Sequence, residues 1–212
     1  MRRIEAHYWG LLLAVMVWSC GPKDEPMPAL PDYISVPASL ENYAGSGLIT
    51  IAGEGLSIEA RGPEQLNADT KTYQGVTGEI SGEDLTANFT LGQPRPYKER
   101  QSVPIQYLAN GKLSIMQTVT PGTYRMGFGE SPGPRGEITD LTLNLTGPQL
   151  YVAKSGTLTI EKSALVKTQG SYSLYRVQGT FKVTMYADGV GIASGQQYPT
   201  LTGTFDLLLV RS

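Results

Sequence analysis

The chain has 212 residues with 17 basic and 19 acidic side chains, a formal net charge of −2, one cysteine, one histidine and two tryptophans. That balance lacks the basic face a nucleic-acid-binding protein needs. His7, Trp9 and Trp18 all fall within the first 18 residues, so the chain beyond them has no histidine for general-base work and no Cys/His set for zinc.

The N-terminus reads Met1-Arg2-Arg3, then an apolar run from Tyr8 to Trp18, then Ser19-Cys20-Gly21. The run is about half the roughly 20 residues a membrane-spanning helix requires, and it follows a basic start, so residues 1–19 are expected to be a secretion signal. Val17-Trp18-Ser19-Cys20 resembles a lipobox: a branched aliphatic residue three positions before the cysteine, a small residue directly before it, then the sulfur that takes the lipid. Cys20 has no second cysteine to pair with, and acylation would remove a lone thiol from an oxidising envelope. A single acyl chain holds a protein only marginally, whereas the two or three of a lipoprotein give stable attachment. The expected partner is therefore the membrane, through an N-terminal lipid.

Residues 20–44 carry Pro22, Pro26, Pro28, Pro31 and Pro37, and read as an extended spacer that lifts the domain off the membrane. Lys23-Asp24-Glu25, directly after the cysteine, resembles the surface-export signal of Bacteroidota lipoproteins. The resemblance implies an outer-membrane protein at the cell surface; read simply as a charged spacer, the same residues leave it facing the periplasm. Without Arg2, Arg3 and Glu5 the mature chain keeps 15 basic and 18 acidic residues.

Residues 45–212 are expected to form one domain. Alternation of period two dominates: Leu85, Ala87, Phe89 and Leu91; Leu141, Leu143 and Leu145; Phe181, Val183 and Met185; Leu201, Gly203, Phe205, Leu207 and Leu209, each row interleaved with polar, mostly threonine, positions. Such rows suit antiparallel strands with one face on a core. Gly53-Glu54-Gly55, Asn110-Gly111 and Asp188-Gly189 are expected to reverse the chain, residues 129–136 form a loop, and Pro63–Asp69 is the one candidate helical turn. The fold class is all-β, an antiparallel β-sandwich, with an open β-barrel as the alternative.

A motif, Gly-Thr-[large apolar]-x-[apolar], occurs at Gly122–Met126, Gly156–Ile160, Gly179–Val183 and Gly203–Leu207. Its glycines are expected to mark turns or bulges at strand starts. With Ser155-Gly156-Thr157-Leu158-Thr159-Ile160 and the final Thr202-Gly203-Thr204-Phe205, the pattern resembles the small uncharacterised (DUF-type) Bacteroidota β-sandwich lipoprotein families. The resemblance implies an envelope β-domain and carries no catalytic residues.

No Ser-x-x-Lys, P-loop or dinucleotide fingerprint occurs, and the one Gly-x-Ser-x-Gly, Gly129-Glu130-Ser131-Pro132-Gly133, falls in a proline-rich loop of a chain whose only histidine is His7, so no catalytic residue, metal or cofactor is assigned. Two groups of acids, Glu79, Glu83 and Asp84, and Glu137 with Asp140, keep open a carboxylate-based glycosidase or a calcium site. Arg95, Tyr97, Lys98 and Arg100 form a basic stretch able to grip an anionic glycan or headgroup, or simply an exposed loop. Tyr172, Tyr175 and Tyr186 suggest a sugar-stacking platform, or ordinary cross-strand packing. The expectation is a non-enzymatic envelope domain that binds a glycan or an envelope protein or gives structural support. The alternatives are a glycan-capturing or carbohydrate-processing accessory of an uptake system and a lipocalin-like carrier of an apolar ligand.

Overall fold

The computed structural model describes residues 27–32, 34–53, 55–66, 73–94, 105–115, 119–127, 139–145, 150–188 and 199–212. The signal, Cys20, Lys23-Asp24-Glu25, the 95–100 basic stretch, Glu137 and the 129–136 loop lie outside them. The strands are β1 (Ser46–Gly53), β2 (Leu56–Arg61), β3 (Gln65–Leu66), β4 (Tyr73–Ser81), β5 (Asp84–Pro94), β6 (Ile105–Ile115), β7 (Gly122–Met126), β8 (Thr139–Leu145), β9 (Leu150–Gln169), β10 (Tyr172–Asp188) and β11 (Thr200–Arg211). Among the described residues there is no helix.

The all-β, sandwich-like class read from the alternation is what the structure has, with one refinement. All eleven strands join one sheet in the order β2-β1-β11-β10-β9-β7-β8-β6-β5-β4-β3, and a short parallel pairing of β11 with β4 closes a ring of hydrogen bonds through eight of them. The inward rows meet in a single core that includes Leu85, Phe89, Leu113, Leu141, Leu158, Phe181 and Phe205. Fully burying each such side chain stabilises the fold by about 1.5–3 kcal/mol. Tight turns at Gly82 and Gly170, both at φ 62°, join β4 to β5 and β9 to β10. The Gly53–Gly55 reversal joins β1 to β2 as expected.

Three local expectations are corrected. Asn110-Gly111 is not a hairpin: β6 runs straight through it, pairing Gly111 with Phe89 on one side and Leu143 on the other. Glycine is needed there because a Cβ would lie 2.4 Å from the Phe89 ring and 2.3 Å from the Thr142 carbonyl oxygen. The Pro63–Asp69 helical turn is replaced, over its described part, by extended chain. Pro63 bridges Val76, and Gln65–Leu66 pairs with β4, where the backbones approach so closely that a Cβ on Gly75 would sit 2.2 Å from the Glu64 Cα.

The third correction concerns the recurring motif. Gly122 does open a strand, but Gly156, Gly179 and Gly203 lie inside β9, β10 and β11. The motif pairs with copies of itself. Residues 122–126 run antiparallel to 160–156, and 156–160 run antiparallel to 183–179, position for position. Between β10 and β11 the copies are offset by two positions in an unbroken ladder, so that Gly179 faces Phe205 and Phe181 faces Gly203, while on the β9 side an irregularity falls between Gln178 and Gly179. The phenyl rings lie over these glycines, in the spaces their missing side chains leave.

Candidate binding face

The outward positions of the same strands make the candidate site. Thr123, Thr159, Thr180, Thr204 and Thr50 stand opposite one another across β7, β9, β10, β11 and β1, forming one continuous row. Hydroxyl pairs link it, Thr123 to Thr159 at 3.2 Å and Thr50 to Thr204 at 2.8 Å. The next row along the strands reads Arg125, Thr157, Lys182 and Thr202. A shallow groove of about 400 Å³ runs over Ser155, Thr157, Lys182, Thr184 and Thr200. A second, of about 370 Å³, is lined by Pro28, Glu161, Lys162, Gln178, Thr180 and Asp206 among others. Hydroxyls, ammonium groups, an amide and carboxylates give this face hydrogen-bonding chemistry suited to an oxygen-rich polar surface.

Below the second groove the outer face is covered. The stretch read as a free spacer packs here from Pro28 onward, as an irregular strap over β10 and β11. Ile34 and Leu40, 4% and 1% exposed, cover the outward-pointing Leu174, Leu208 and Val210, joined by Leu30, Tyr43 and Tyr172. Polar clamps hold the strap along its length. Lys167 Nζ donates to the carbonyls of Pro37 and Ala38, both at 2.8 Å, and the Leu40 N–H donates to Gln169 Oε1 at 2.9 Å. Pro28, Pro31 and Pro37 have no N–H to pair, which fits a segment that crosses a sheet face without joining it.

The strap also buries a charge. Arg176, 3% exposed, donates from Nε and Nη2 to the two Asp206 carboxylate oxygens at 2.8 and 2.7 Å, while its Nη1 donates to the Pro28 carbonyl. Gln178 Nε2 adds a bond to Asp206 at 3.0 Å. Planar, two-pronged pairing of this kind is the strong form of a charge-assisted hydrogen bond. Sequence reasoning missed it. Arg176 and Asp206 lie 30 positions apart and become diagonal neighbours only through the β10–β11 register.

The two groups of acids lie apart. Glu83 and Asp84 are exposed at the β4–β5 turn and Glu79 is exposed on β4, whereas Asp140 is on β8, beyond β5 and β6 in the sheet. No group of three potential metal ligands occurs among the described residues. The tyrosines do not form a platform either: Tyr172 packs under the strap, Tyr175 turns to the core, and Tyr186 is exposed near the far end of β10.

Asp140 has a structural position of its own. β8 pairs with β9 through Val152, and beyond that point β7 inserts between them. The Asp140 carboxylate accepts from the backbone N–H groups of Leu141 and Ala153 at this fork, supplying an acceptor where the β8–β9 ladder ends. Burial outweighs those bonds and the nearby Lys112 charge, and holds its pKa above the ordinary 3.8; Oδ1 is buried without a partner. Because the native carboxyl keeps its proton to higher pH than the unfolded one, its contribution to stability declines as pH rises from that value through the raised one. Asp140→Asn is therefore expected to melt at or above the wild-type temperature at neutral pH and to lose any advantage near pH 3.8. A clear loss of stability at neutral pH would contradict this.

Comparison with known proteins finds no relative: no family model, no curated protein and no solved structure matches the chain.

Proposed function

We propose that the protein is a lipid-anchored lipoprotein of the bacterial outer envelope, displayed at the cell surface, whose β-domain binds or supports rather than catalyses. The observation that carries this reading is the N-terminal run ending in Val17-Trp18-Ser19-Cys20. Two features of the fold support it. Pro28, eight positions after the cysteine, is tied to β10 by Arg176, which keeps the domain close behind the proposed anchor. Among the described residues no helix is long and apolar enough to cross a membrane, so under this reading the lipid provides the attachment. The separation of Asp140 from Glu79, Glu83 and Asp84 supports the non-catalytic half. Metabolic labelling with a palmitate analogue is expected to tag the wild type and not Cys20→Ser; equal labelling of the two would overturn the reading.

A second reading, an accessory that captures a glycan for an uptake system, draws on the groove over Glu161, Lys162, Gln178 and Thr180, whose donors and acceptors match sugar hydroxyls. The carrier alternative gains no such support.

A further inference from the structure

Accepting the lipid on Cys20, we infer that the outer face of β7, β9, β10 and β11 lies on the anionic headgroups of the membrane, with the β4–β5 turn directed away.

The first support is where the chain leaves the fold. Pro28 is fixed by buried Arg176 and lines the groove beside Lys162, Gln178 and Thr180. The N-terminal segment thus emerges onto the middle of this face, not from a sheet edge or from the end that carries the Gly170 turn. Pro28 lies eight positions after Cys20, a reach of at most about 28 Å fully extended. The lipid must enter the bilayer within that distance of the threonine row.

The second support is charge. Arg125, Lys154 and Lys182 are exposed on these strands and Lys162 lines the groove. In all, these four strands carry seven lysines and arginines against three acids, Glu161, Asp188 and Asp206. Across β4 and β5, by contrast, Glu79, Glu83 and Asp84 are present with no lysine or arginine. An anionic surface attracts the first face and repels the second. Screening confines this effect to about 8 Å at physiological salt, a separation the leash permits and the charges themselves must hold. The threonine hydroxyls and lysine ammonium groups both donate to phosphate oxygens, so the face meets headgroups without inserting into the hydrocarbon.

The test uses the lipidated chain reconstituted in phosphatidylcholine vesicles containing phosphatidylglycerol and a headgroup-nitroxide lipid. Cys20 is the sole cysteine and is acylated under this reading, so a bimane label on Thr180→Cys or on Glu83→Cys is unique. Quenching is expected at position 180 and not at 83. The contrast should vanish in about 1 M salt, where screening shortens to roughly 3 Å. It should also vanish in Arg125→Glu/Lys154→Glu/Lys182→Glu, since each cation lost weakens surface attraction about fivefold. Quenching at position 83, at both positions or at neither, in vesicle-bound protein, would overturn the orientation alone; a free threonine face would leave the groove open to glycans. A chain that carries no lipid and does not stay on the vesicles would overturn the lipoprotein reading together with the orientation.

Discussion

Replacing Arg176 by alanine is expected to destabilise the protein by about 3–5 kcal/mol, the usual consequence of removing one partner of a buried ion pair. Both side chains are shielded, at 3% and 13% exposure, so solvent does little to soften the loss. Asp206 would keep a half-satisfied carboxylate, and the Pro28 carbonyl would lose its donor. The strap should loosen at its N-terminal end while Lys167 and Gln169 still hold the rest. Urea unfolding checks the magnitude, with Arg176→Ala/Asp206→Ala as the diagnostic partner. The double variant should lose less than the single one, because no buried charge is then left alone. A single-variant loss below about 1 kcal/mol, the scale of an exposed pair, would show that the strap does not bury the pair as described.

Gly203→Ala should be strongly destabilising, whereas Gly122→Ala, in the same sequence motif, should be tolerated. At position 203 a Cβ would lie 2.2 Å from the Phe181 ring and 2.3 Å from the Thr50 carbonyl oxygen. One obstacle is backbone and the other is a core ring, so neither can swing aside. The expected cost is at or above the roughly 1–3 kcal/mol usual for overpacking, or about 2–12 °C in melting temperature for a domain of this size. At position 122 the nearest atom is the Tyr124 hydroxyl at 3.2 Å, the end of a half-buried side chain. Similar melting temperatures for the two variants would contradict the account of rings seated over glycines.

The contrast between these glycines also explains what could be read in advance. Strand identity was legible because it is local: Phe181, Val183 and Met185 alternate with Thr180, Lys182 and Thr184 whatever lies opposite them. The purpose of Gly203 was not, because it depends on a ring brought across from β10 by the register. Asn110-Gly111 misled for the same reason. Its local chemistry fits a turn, but Phe89 and the Thr142 carbonyl impose a continuous strand with glycine at the close approach. Prolines between Cys20 and Ser46 ruled out a helix or a central strand, yet could not show that Ile34 and Leu40 pack down on Leu174 and Leu208. The apolar outward positions of β10 and β11 were the available signal. Leu174, Leu208 and Val210 interrupt an otherwise polar outer row and call for a cover. The threonine row could be read strand by strand as polar positions, but its continuity across five strands rests on pairings the sequence does not display.

The central claim, a mature chain that begins at a lipidated Cys20, is tested most directly by the intact mass of the protein extracted from membranes of its host. The expected species is a chain of residues 20–212 carrying a diacylglycerol on the Cys20 sulfur, with the added mass confined to the N-terminal peptide. A chain that starts elsewhere, or one that begins at Cys20 without lipid, would contradict it.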